Sequence, residues 1–180
     1  AYGSIDGNEV NISAYPTLVS KDQLLSQVGQ QMNALEIYCE GIGSTVYYGP
    51  GAGPKPTASA VIADLVDISN GGWPDTPNKE NKNKLCKEGK QTFSRYFNLN
   101  VKNEAGAIAK VSSLFAEKNI SIEALIQKES KSNKNAQLNV PVIIISGPLS
   151  DMDAFQMQDN LDSMEEISGI PKQFRIQNAL

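Results

Sequence analysis

The feature that most constrains this chain is a stretch with no apolar period. From Ser69 to Phe93 it reads SNGGWPDTPNKENKNKLCKEGKQTF, rich in Gly, Pro, Asn and Lys. Too few apolar residues stand at regular spacing to give it a buried face, and its like charges favour an extended chain. It predicts a linker over 71–93, between a first region at 1–70 and a second at 94–180. At 180 residues the chain has room for two small domains. The lysines of the run read as solvated, and Trp73, the single tryptophan, as an anchor of the linker onto a domain.

Composition removes several classes of function. Hydrophobic residues make up 40% and charged residues 20%, as in ordinary globular proteins. A net charge of -4 and a pI near 4.9 argue against a nucleic-acid or anionic-membrane binder. No apolar run approaches the roughly 20 residues that span a bilayer. The opening AYGSIDGNEV has no basic and apolar leader pattern; it starts in mid-pattern, as a piece of a longer protein would. Cys39 and Cys86 form no CxxC and read as reduced thiols of a cytoplasmic protein, with a disulfide or a metal site as the alternatives. Histidine is absent, which excludes a Ser-His-Asp triad, a Cys-His dyad and a His-based zinc site within the chain.

The first region reads as strands and one helix. EVNISAYPTLV alternates weakly, KDQLLSQV is a short helix or turn, and NALEIYCEGIG with STVYYG predicts a strand pair around Gly41 and Gly43. TASAVIADLVDIS places Val61, Ile62, Leu65, Val66 and Ile68 on one helical face, opposite Asp64 and Asp67, with Thr57 as the N-cap. The second region is clearer. RYFNLNVK puts Phe97, Leu99 and Val101 on one strand face, and GAIAKVSSLFAEK carries a helical stripe of Ile108, Val111, Leu114 and Phe115. ISIEALIQK alternates through Ile120, Ile122, Ala124 and Ile126, and NVPVIIIS is a buried strand with Pro141 at its start or edge. Ser150 opens a helix with Ala154, Met157, Leu161 and Met164 inward, and KQFRIQ closes as a strand. The order β-α-β-β-α-β predicts a ferredoxin-like split βαβ unit, with both helices on one sheet face and the other face open to a partner.

Between the two halves of the first region lies YYGPGAGPKPTASAV, Tyr47 to Val61. Gly49, Gly51 and Gly53 alternate with other residues, and Pro50, Pro54 and Pro56 stiffen the run. The helix behind it directs its dipole and free amides at the turn. The run is neither a P-loop nor a Rossmann fingerprint, since both the GK[ST] ending and the GxGxxG spacing are missing. On spacing alone it is either a tight strand-to-helix connection or a close-approach ligand wall.

YGPGAGPKPTASAVIADLVDI resembles the end of the catalytic domain of homoserine dehydrogenase, and YPTLVSKDQLLSQVGQQMNAL resembles that family's HPTLI strand and the run after it, with Tyr15 in place of His and Gln30 after Gly29. The likeness covers Ala1 to about Asn70. It implies that Gly53 lies against a nicotinamide cofactor, NAD or NADP, with Gly51 and Ala52 beside it and Thr57 capping the helix. It also implies that the nucleotide-binding domain and the Asp, Glu and Lys residues of the chemistry precede this segment. No catalytic residue and no metal ligand is then expected here, and Lys55 is not the family's catalytic lysine.

YFNLNVKNEAGAIAKVSSLFAEKNISIEALIQ resembles an ACT domain, the small regulatory module of many homoserine dehydrogenases. The family's D.PGVLA turn stands here as Asn103, Glu104, Ala105, Gly106, Ala107, Ile108 and Ala109. The resemblance implies an amino-acid site at Asn103, Ala105, Gly106, Ala107 and Ile108, with Ser121 and Gln127 as further polar groups. The expectation is thus an α+β chain: part of a catalytic-domain sheet with its helix, then a ferredoxin-like ACT domain. It implies interconversion of L-homoserine and L-aspartate 4-semialdehyde in threonine and methionine biosynthesis, feedback by L-threonine, a homo-oligomer of at least two subunits, and no activity from the fragment alone. Nucleic acid and membrane are not expected partners. A stand-alone amino-acid sensor and a pairing-only module are the alternatives.

Overall fold

The computed structural model describes residues 1–72, 83–86, 91–127 and 138–177. The role expected of Trp73 lies outside them. Two compact units emerge: Ala1–Leu18 with Asn83–Asn178, and Val19–Lys82 with Ala179–Leu180.

The first unit is built on a five-stranded sheet whose order is β3 (Thr17–Val19), β10 (Lys172–Gln177), β7 (Thr92–Lys102), β9 (Asn139–Ser150), β8 (Ile122–Gln127). Between these strands the chain forms α2 (Ala107–Glu117) and α3 (Asp151–Asp162). Alternation on β7 buries Phe97, Leu99 and Val101, and β9 adds Val140, Val142 and Ile144 to the same core. Onto them α2 sets Ala107, Val111 and Phe115, and α3 sets Ala154, Met157 and Leu161. Phe97 and Phe115 meet edge to face at 5.5 Å, a pairing worth about 0.5–1.5 kcal/mol beyond its buried area. Ser150 caps α3 by accepting from the Asp153 amide at 3.1 Å.

Strand β8 departs from simple alternation. Its register against β9 shifts between Ile122 and Ala124, so that Leu125 stands opposite Ile144 and Ile126 opposite Ile143. Ile122 still packs on the core, whereas Ile126 is exposed. One irregular pairing changes the face of every later residue, because side chains alternate with period two. Pro141 is the third residue of β9, beyond the described pairs with β8, where its missing N–H is tolerated.

The first unit also holds β1 (Tyr2–Asp6), β2 (Glu9–Ser13) and β6 (Lys84–Leu85) in a second sheet. The weak run EVNISAYPTLV is therefore two strands, parted at Ala14–Pro16. β6 falls within the stretch expected to be a linker. It forms because pairing needs only backbone groups: Lys84 donates to the Asn8 carbonyl and Cys86 to the Val10 carbonyl, both at 2.7 Å.

The second unit contains a 3-10 turn (Leu24–Gln27), an antiparallel hairpin of β4 (Met32–Cys39) and β5 (Gly43–Pro50), and α1 (Pro54–Ser69). Gly41 and Gly43 take positive φ at the hairpin turn, where glycine carries no steric penalty. The α1 face of Val61, Ile62, Leu65, Val66 and Ile68 is patterned as expected, yet no residue of the helix is buried. No helix among the described residues is long and apolar enough to cross a membrane.

Candidate functional site

The glycine run continues β5 past its last pair with β4, Met32 opposite Pro50. Gly51 and Ala52 turn back and donate their amides to one acceptor, the Gln31 carbonyl, at 2.9 and 3.3 Å. Gln30 has φ of 56°, a left-handed conformation just before Gln31. A Cβ on Gly51 would fall 1.8 Å from Nδ2 of Asn33, so that side chain occupies the space that glycine leaves. Gly53 has φ 116° and ψ 164°, a region open essentially to glycine alone. Gly51 and Ala52 are exposed and Gly53 half-buried. The run therefore presents a strip of nearly bare backbone, held in shape by Gln31 and Asn33. Neither residue carries a motif signal; only the fold of the hairpin brings them here.

The helix begins three residues earlier than its expected cap. Gly53 is the N-cap, and Pro54 and Pro56 stand in the first turn. Thr57 is inside the helix, and both its amide and its hydroxyl donate back to the Gly53 carbonyl, at 3.2 and 2.9 Å. The proline φ angle suits a helix start, and an N–H missing from the first turn would have had no intrahelical acceptor. The same prolines remove two of the donors expected to face a ligand. The strip can serve as a close-packing wall, but it is a poor cradle for a phosphate.

The residues expected to hold an amino acid are only partly gathered. Asn103, Glu104, Ala105 and Gly106 form an exposed turn before α2, with Gly106 at φ 91°. The Asn103 amide donates to the Leu138 carbonyl at 2.9 Å. Ala107 is 4% exposed and its side chain belongs to the core, since the first residue of α2 faces the sheet, so only its backbone is left to face a ligand. Ile108 packs partly against that core. Gln127 is exposed at the end of β8 nearer the turn, opposite Val142. Ser121 is not brought to the turn within one chain. It follows α2, whose 11 residues separate the two places by roughly 16 Å, and its carbonyl accepts from the Gly147 amide.

A charged cluster escaped the sequence reading. Arg95 and Arg175 are 5% and 3% exposed, and both reach Asp151 at the start of α3. Arg95 Nη2 lies 2.5 Å from Oδ1, and Arg175 donates through Nε at 3.1 Å and also through Nη2. Arg175 further donates to Ser13 Oγ at 2.7 Å and stacks on Tyr15 and Phe93. Partial burial opposes ionisation of Asp151, but the hydrogen bonds and charges of the two guanidiniums outweigh it and hold its carboxyl below the ordinary carboxylate value. Nothing local marks this triad, because its members come from three separate elements. Cys39 and Cys86 are free thiols.

Comparison with known proteins bears on both regions. Residues 2–66 match the family model described as homoserine dehydrogenase. Homoserine dehydrogenase of Bacillus subtilis is 30% identical over 177 residues, covering 96% of this chain and 40% of the relative. That of Neisseria gonorrhoeae is 36% identical over 132 residues, covering 68% of this chain and 30% of the relative. The crystal structure of a homoserine dehydrogenase from Thiobacillus denitrificans superposes with a TM-score of 0.76 at 24% identity, over 98% of this chain and 41% of that one, a likeness of fold. The chain spans about two fifths of the length of the first relative and less of the second. These matches are consistent with a C-terminal fragment of homoserine dehydrogenase.

Proposed function

We propose, for a chain that matches the homoserine dehydrogenases in this way, that it is the C-terminal portion of such an enzyme and contributes one wall of its active site together with a regulatory domain. The observation that carries the reading is the strip from Gly51 to Gly53. It lies inside the segment that matches the family, and Gly51 and Gly53 bring no side chain of their own to it, with Gly53 in a conformation open essentially to glycine. A nicotinamide ring, from NAD or NADP, packs against such a wall, with Gly53 closest and Gly51 and Ala52 beside it. Thr57 holds the wall by donating to the Gly53 carbonyl and completes the cofactor-binding group with it. The cofactor would supply the hydride chemistry; this chain supplies the wall against which the ring lies.

The exposed apolar residues of α1 support the same reading. A helix of 16 residues with no buried side chain contributes no core by itself, and its stripe suits a further domain of the full-length protein. The strand order β10-β7-β9-β8, with both helices on one face, supports a ferredoxin-like ACT arrangement in the first unit. In this reading L-threonine binds at the Asn103–Gly106 turn, with Gln127 from the same end of the sheet, and Ser121 can take part only from a second subunit. The assembly is a homo-oligomer of at least two copies, and the enzyme works in the cytoplasm.

The test compares the full-length protein with this chain. The full-length protein should reduce NAD or NADP when given L-homoserine, followed by nicotinamide absorbance. The chain alone should give no turnover above background. A full-length protein inactive with both cofactors, or turnover by the chain alone that survives repurification, would overturn the reading.

A further inference from the structure

The side of Gly53 that a side chain would occupy is bordered by two atoms of different character. A Cβ built there would stand 3.4 Å from Oε1 of Gln31 and 3.8 Å from Cδ of Pro56, the two atoms nearest to it. Both neighbours start from fixed points. Gln31 is tied to the strip through its own carbonyl, which accepts from the Gly51 and Ala52 amides, and Met32 after it closes the hairpin opposite Pro50. Pro56 is half-buried in the first turn of α1. The side chain of Gln31 is exposed, and no hydrogen bond among the described residues engages its carboxamide. The adjoining space over Gly51 is already filled by Asn33, so the bare position at Gly53 is the one left for a ligand.

We infer that Gln31 is a specificity-determining residue of the cofactor site, whose carboxamide pairs with the carboxamide of the nicotinamide ring. The inference rests on the proposed reading that this ring lies against Gly53. A bare position with an amide oxygen on one side and a proline methylene on the other complements a flat ring that bears a primary amide. A carboxamide carries two N–H donors and one carbonyl acceptor, so two of them can exchange hydrogen bonds in both directions. Oε1 of Gln31 accepts from the ring amide, and Nε2 donates to that amide's carbonyl. The methylenes of Pro56 take the carbon edge of the ring, where apolar surface gains by leaving water. A methyl ketone in place of the ring amide keeps the acceptor and loses both donors, so one of the two hydrogen bonds cannot form. Gln31 thereby selects an amide at that place on the ring.

Calorimetric titration of the full-length protein tests it. The ligands are NAD or NADP, whichever binds, and the 3-acetylpyridine analogue of the same dinucleotide, in which a methyl ketone replaces the amide. The parent should bind the natural cofactor about threefold to tenfold more tightly than the analogue, the scale of one hydrogen bond. Gln31→Leu keeps the bulk and removes the amide. It should weaken the natural cofactor more than the analogue, so that the ratio of the two Kd values falls to about one. Gln31→Glu keeps an acceptor for the ring amide and should keep the preference. Gln31 is exposed, so the melting temperature of each variant should match the parent's. A residue that only shapes the strip would weaken both ligands alike. A Kd ratio unchanged by Gln31→Leu, in a protein that binds the cofactor, overturns the assignment alone. A parent that binds neither NAD nor NADP overturns the proposed enzyme, and the assignment with it.

Discussion

Replacing Asp151 by Ala should be among the most damaging single changes to the first unit. Among the described residues, the carboxylate is the only anion bonded to either of two guanidiniums that are 5% and 3% exposed. Its removal leaves two cations out of water with no counter-charge. Breaking a buried ion pair from one side costs about 3–5 kcal/mol. Asp151 itself is 32% exposed on its side chain, so water can enter where it stood, and the lower end, about 3 kcal/mol, is expected. Urea unfolding followed by circular dichroism would read this as a lower midpoint with an unchanged slope. Pairing the change with Arg175→Met should recover part of the loss, because the second substitution removes one stranded charge; coupling of about 0.5–3 kcal/mol is the scale for residues in one network. Acid gives an independent check. The Asp151 carboxyl is held below its ordinary value of 3.8, so its contribution is complete above that value and disappears as pH falls through the lower, folded value. Parent and variant should therefore converge in stability at strongly acidic pH. A loss under about 1 kcal/mol at neutral pH, the range of surface pairs, would refute the argument that these guanidiniums depend on Asp151.

Two further outcomes follow from the same geometry. Gly53→Ala and Gly53→Val in the full-length protein should each lose about 1–3 kcal/mol of stability from backbone strain, since φ is 116° and the Cβ position has no neighbour closer than 3.4 Å. The cofactor KM should rise more for Val than for Ala if the strip is a cofactor wall, and a KM that stays flat while melting temperature falls would leave the glycine a purely conformational role. L-threonine should raise the melting temperature of the first unit, since a ligand at 100 times its Kd stabilises by about 2.7 kcal/mol. L-serine and L-valine serve as controls, and Asn103→Ala should shrink the shift; no shift at millimolar L-threonine with the unit folded and dimeric would favour a module used only for pairing.

What the sequence by itself determined is the set of local patterns. Period-two alternation placed Phe97, Leu99 and Val101 on one buried face, and helical spacing placed Val111, Phe115, Ala154, Met157 and Leu161 on faces that meet them. Ser150 was legible as a cap because its role depends on residues three apart. The glycines at Gly41, Gly43 and Gly53 were legible as turns, since each sits where a side chain would be strained. Only the tertiary structure decided relations between distant residues. It placed Gln31 and Asn33 against the glycine strip, opposed two arginines to Asp151, and paired β6 with β2 through backbone groups that no side-chain pattern announces. It also moved the N-cap of α1 from Thr57 to Gly53. Two prolines could occupy the first turn without losing an intrahelical hydrogen bond, and this made a cap at Thr57 unnecessary. The stripe on α1 shows where pattern stops being informative. Periodicity states that a face is apolar, but what covers that face depends on atoms far away in the chain, and among the described residues of its own unit nothing buries it.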